Sequence, residues 1–111
     1  MPGPPRPKHD GKVAFMFLLL KEYLVEQEKL EDVHPAHGAW FAQQCKEGAV
    51  VMAGRQVPSV GGVVMIDVAT RAEADAFAAR DPYTTAGLAK YTVIEFNLAR
   101  CFPDRLPTVS G

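Results

Sequence analysis

Two histidines three residues apart, His34 and His37, an aspartate in Asp81-Pro82-Tyr83, and Arg55 behind an apolar run are the residues of this chain best suited to acid/base or charge chemistry. His37, Phe41 and Cys45 recur at four-residue spacing with Trp40 and Gln44 alongside, which puts the imidazole on the apolar stripe of a helix. A histidine facing a core serves as a satisfied core or cap residue, or as a general base. Asp81 closes a second stripe, Ala74, Phe77, Ala78 and Asp81, at the spacing of one helical face. Taken alone, an aspartate directly before a proline reads as the N-cap of the next helical turn. A carboxylate has two oxygens and several acceptor sites, so capping leaves room for an imidazole as a second partner. Such a pair fixes the tautomer of His37 and raises the basicity of its other nitrogen, enough to move protons on a small substrate without a cofactor.

Arg55 offers a permanent cation that would clamp a carboxylate or steady an enolate if it enters the cleft, and a solvated loop arginine if it does not. A clamp implies an anionic substrate. Tyr83 could hydrogen-bond a substrate oxygen or pack at a subunit seam. Trp40, Phe41, Phe15 and Phe17 read as core or cleft lining. No metal is expected, because His34 and His37 find no third ligand at suitable spacing and His34 fits better as a helix cap. Gly61-Gly62 is a turn, with nothing of a phosphate-binding loop around it.

The elements that must position these residues follow from periodicity. Val13 to Leu20 is a short, continuous apolar run and reads as a buried strand. Residues 21–32 are charged and read as a loop or short exposed helix. Pro35 suits the start of a helix that runs to Lys46-Glu47 and stops at Gly48. Two β-rich runs, 49–53 and 63–68, flank a segment with Pro58 and Gly61-Gly62. Thr70-Arg71-Ala72-Glu73 has capping-box spacing and opens a second helix that ends near Asp81-Pro82. A helical turn to Gly87 and a last strand, 91–98, complete β-α-β-β-α-β, an α+β, ferredoxin-like split βαβ with four antiparallel strands and both helices on one face. Apolar residues on both faces of the first strand then call for a second subunit over the bare face, a homodimer closing a dimeric α/β barrel.

Bulk properties narrow the function. The 111 residues give one core and no separate cofactor module, so no cofactor is expected. Twelve Lys+Arg against 13 Asp+Glu leave a net charge of -1, which supplies no field for nucleic acid or an anionic membrane. Cys45 and Cys101 are isolated, with Cys45 expected as a small buried hydrophobe, and this usage fits a reducing, cytoplasmic setting. The run 13–20 lacks a cleavage site after it and is too short to span a bilayer. Residues 1–12 are proline-rich and expected to be a disordered leader, 13–101 the domain, and 102–111 a tail, loose or lying across a partner subunit.

His34-Pro35-Ala36-His37, Glu47-Gly48, Ala53-Gly54 and Asp81-Pro82-Tyr83 with Ala86-Gly87 together resemble the YCII-related family over residues 13–98. The resemblance implies a dimeric α/β barrel with a His–Asp pair, falling here on His37 and Asp81. It also brings relatives of differing chemistry: a dehydrochlorinase of chlorinated aromatic breakdown and, in the wider fold, muconolactone isomerase and cofactor-free monooxygenases. One departure is Arg55, where the family commonly has proline after Ala-Gly. The expected function is a cofactor-independent acid/base enzyme acting beside a carbonyl by isomerisation, elimination or cyclisation. A non-catalytic ligand-binding or interaction module and a cofactor-free monooxygenase are the alternatives.

Overall fold

A four-stranded antiparallel sheet in the order β2-β3-β1-β4 organises the chain, seen in a computed structural model that describes residues 14–109. The strands are β1 (Ala14–Tyr23), β2 (Val50–Arg55), β3 (Gly61–Ile66) and β4 (Ala89–Leu98). The helices are α1 (His34–Lys46), α2 (Arg71–Arg80) and the single turn α3 (Pro82–Thr85). This is the ferredoxin-like α+β architecture, in which each βαβ half leaves a gap that a strand of the other half fills. The proline-rich leader lies outside the described residues.

Alternation along β1 sets the inside of the fold. Phe17 and Leu19 are fully buried on the helix-covered face, where they join Val64, Ile66, Ala74, Phe77 and Ala78. Lys21 has the same parity and is also buried, at 5% exposure. β1 therefore runs beyond the apolar stretch, and the loop or exposed helix expected from residue 21 begins only after Tyr23, followed by a short 3-10 helix, Gln27–Leu30. Lys21 pairs with Gly62 of β3 and Tyr91 of β4. A side chain at the neighbouring Gly61 would collide with the Lys21 carbonyl, so this glycine permits the close approach of β3 to β1 beside the site.

The helix boundaries have local causes. α1 begins at His34, with no side-chain cap at Val33, and ends before Gly48, whose φ of 86° is left-handed. α2 opens on Thr70, whose hydroxyl accepts from the Glu73 amide at 3.1 Å, and the Glu73 carboxylate accepts from Ala69 N–H at 2.9 Å. Asp81 ends α2 and caps α3, accepting from the Tyr83 amide at 2.9 Å.

Cys45 departs from expectation: it is exposed, and Gln44 is buried in its place. At about 100° per residue, position 44 lies within about 20° of His37, whereas position 45 has drifted about 80° round the helix. On the opposite face of the sheet, Met52, Met65, Leu18 and Ile94 stand in register across all four strands, with Met52 and Ile94 43% and 40% exposed.

Candidate active site

The site is organised by the Asp81 carboxylate, which is wholly buried where α2 gives way to α3. Oδ1 accepts the Tyr83 amide and faces His37 Nδ1 at 3.0 Å. Oδ2 accepts from Lys21 Nζ at 3.2 Å and from the Tyr91 hydroxyl at 2.6 Å. Burial pushes this carboxyl toward neutrality. The bonds from His37 and Tyr91, the Lys21 charge and the Tyr83 amide outweigh it and hold the pKa at about 2. Asp81 is therefore an anion that can only accept. His37 must carry its proton on Nδ1, so a neutral His37 presents a bare Nε2 lone pair.

The neighbours of the carboxylate respond to burial and to its charge. Lys21 is held below the ordinary lysine range by burial, against the pull of Asp81. Tyr91 is pushed far up by burial and by its bond to Asp81, so it remains a donor. Tyr83 is raised by burial and by Tyr23 and Asp81, partly offset by Arg55.

His37, Lys21 and Tyr83 line a cavity of about 260 Å³, with Tyr23, His34, Phe41, Arg55 and the β2 and β3 backbones around it. Asp81 sits behind this wall. The His37 ring stacks nearly parallel to Tyr83 at 4.5 Å and to Phe41 at 5.9 Å between centroids, and its side chain is 16% exposed. An adjoining cavity of about 490 Å³ shares Tyr23, His34, Arg55 and Tyr83 and adds Gln27, Glu28, Leu30, Glu31, Pro35 and Ser59.

Of the residues singled out in the sequence, His37, Arg55, Tyr83 and Phe41 meet at the inner cavity, and Asp81 backs it. His34 does not cap α1: its Nδ1 shares a hydrogen bond with the Tyr83 hydroxyl at 2.8 Å. Trp40 packs on Phe77 at 4.9 Å, on the core side of the helix. Phe15 is half exposed and lies on β1 about 20 Å from Lys21, at about 3.3 Å per residue, away from the cavity. Among the described residues no three His, Cys, Asp or Glu side chains converge in a manner that could hold a metal ion. Sequence reasoning missed Lys21, Tyr91 and Tyr23. The signal for Lys21 was present, since it continues the alternation Phe17, Leu19, Lys21.

A ferredoxin-like α+β domain with an imidazole on a cavity wall and its carboxylate partner buried behind it is the class that fold and site define. The chain belongs to the YCII-related family: the model of the YCII-related domain matches residues 14–97. Among solved structures it is similar to 5-chloro-2-hydroxyhydroquinone dehydrochlorinase from Burkholderia phenoliruptrix AC1100, in complex with 2,5-dihydroxybenzoquinone. That likeness has a TM-score of 0.63 at 18% identity and covers 73% of this chain and 92% of the other, a likeness of fold. No curated protein matches the chain.

Proposed function

We propose that this protein is a small-molecule enzyme that needs no cofactor, in which His37 moves a proton beside a substrate carbonyl and Asp81 orients it. The observation that carries this reading is the 3.0 Å contact of His37 Nδ1 with a buried, ionised Asp81, with His37 on the cavity wall and Asp81 behind it. In the forward step a C–H bond of the substrate breaks, the proton passes to His37 Nε2, and the electron pair moves onto the carbonyl oxygen as an enolate. Asp81 stabilises the imidazolium that results. Return of the proton to another carbon gives isomerisation, and departure of a leaving group gives elimination. The dehydrochlorinase named above, with its quinone ligand, supports an elimination on a hydroxylated ring as the first chemistry to try. Arg55 on the cavity wall suits an anionic substrate.

The in-register apolar row Met52, Met65, Leu18 and Ile94 supports a homodimer joined through the bare face of the sheet. A cytoplasmic location remains part of this proposal, resting on the isolated cysteines. No helix among the described residues is long and apolar enough to cross a membrane.

The test is deuterium wash-in from D2O, followed by proton NMR, across enolisable carboxylated ketones and chlorinated hydroxyhydroquinones. Wild type should accelerate exchange or chloride release on one of them, and His37→Gln should slow it by about a hundredfold or more. Binding without exchange across the panel would instead make the protein a ligand-binding module.

A further inference from the structure

Lys21 is the buried charge that the acid/base pair leaves without a task. Its ammonium is surrounded by aromatic faces, 5.0 Å from the Tyr83 centroid and 5.8 Å from those of Tyr23 and Tyr91. Among the described residues its one hydrogen-bond acceptor is Asp81 Oδ2. An ammonium has three donors, so neutralising Asp81 uses only part of it. Lys21 also stands on the wall of the inner cavity, whereas Asp81 does not.

The two oxygens of Asp81 divide the work. Oδ1 holds His37 Nδ1 and Oδ2 holds Lys21 Nζ, so one carboxylate fixes both the imidazole and the cation, and both residues stand on the cavity wall. The geometry points to Lys21 as a catalytic residue that binds the substrate oxygen on which negative charge develops, so that the site selects substrates ionising to an enolate or phenolate. This rests on the proton-transfer reading above and adds where the displaced electron pair comes to rest. As the C–H bond breaks and its proton goes to His37, the charge formed on oxygen meets a preformed cation in a water-poor site. Burial holds Lys21 below its ordinary range, so a second anion at Nζ is favoured over an empty site. Arg55, at the rim, remains for a separate anionic substituent.

The test uses 4-nitrophenol, whose phenol and phenolate forms absorb at different wavelengths. At a pH where the free compound is mostly neutral, the bound compound should have an ionised-to-neutral ratio at least tenfold higher than the free one. Lys21→Met/Asp81→Asn, which replaces the ion pair with uncharged groups, should return the ratio to that of free solution. Arg55→Gln and His37→Gln should keep the larger part of the shift. In wild type, the ring protons beside the phenolate oxygen should give nuclear Overhauser effects to the Lys21 ε-methylene, a reading that depends on no variant folding. Bound neutral phenol, absence of binding at millimolar concentration, an unchanged ratio in the folded double variant, or contacts to other residues alone would overturn the proposal. His37→Gln separates the two readings, because it disables the proton-transfer pair and leaves Lys21 untouched. Retained phenolate binding without substrate turnover in wild type would count against the pair alone.

Discussion

Neutralising Asp81 should cost the fold a measurable part of its stability, and part of that cost should belong to its coupling with Lys21. Two routes give the size of the effect. The ordinary carboxyl value of 3.8 falls to about 2 in the fold, a preference for the ionised form of about 2 kcal/mol. Removing one partner of a buried ion pair costs about 3–5 kcal/mol, because the other charge stays buried without compensation. Asp81→Asn is therefore expected to lose about 2–5 kcal/mol, a large share of the ~5–15 kcal/mol typical of a domain. Lys21→Met should lose a comparable amount. In Lys21→Met/Asp81→Asn no charge is stranded, so the combined loss should fall short of the sum of the single losses by at least ~1 kcal/mol. The assay is urea unfolding followed by far-ultraviolet circular dichroism at one fixed protein concentration, with the slopes compared to verify that the folded states are alike. Strict additivity, or single losses under ~1 kcal/mol, would refute the ion pair as a buried, tightly coupled unit.

Two further outcomes follow from the same structure. Because the folded-state value of Asp81 is depressed, its contribution is fully present above about pH 4 and is lost as pH falls toward about 2. The stability gap between wild type and Asp81→Asn should accordingly narrow across that window, and a gap that is constant with pH would contradict the assignment. On the bare sheet face, Ile94→Glu sets a charge at the β4 end of the apolar row. Sedimentation should give wild type at twice 12.1 kDa and the variant at 12.1 kDa, whereas a wild type that sediments as a monomer would remove the dimer.

Much of the fold was legible because its signals are local. The capping box at Thr70, the glycine stop at Gly48 and the proline-started α3 each depend on residues a few positions apart. The His37–Asp81 contact was legible in outline because His37 opens one apolar helical stripe, Asp81 closes another, and both helices cover one face of the sheet. Lys21 and Tyr91 were not, since what makes them matter lies 60 and 10 residues away at Asp81. Charge at Lys21-Glu22 also disguised the end of β1. Lys21 points inward to a carboxylate, and Glu22 points outward, 3.7 Å from Lys90 across the strand pair. The buried place given to Cys45 failed for a different reason: strict four-residue spacing outruns a 3.6-residue turn, so the stripe passes through Gln44.

The protonation geometry of the His37 ring is the most direct point of attack. A long-range proton–nitrogen correlation spectrum of the imidazoles, with His37 assigned through His37→Gln, reports which nitrogen carries the proton. In wild type at neutral-to-basic pH, His37 should appear with the proton on Nδ1 and a bare Nε2, and Asp81→Asn should shift that balance toward the mixture of tautomers seen for free imidazole. A wild-type His37 protonated on Nε2 alone, or a spectrum indifferent to Asp81→Asn, would mean that Asp81 serves only as the cap of α3 and that His37 is not held for proton transfer.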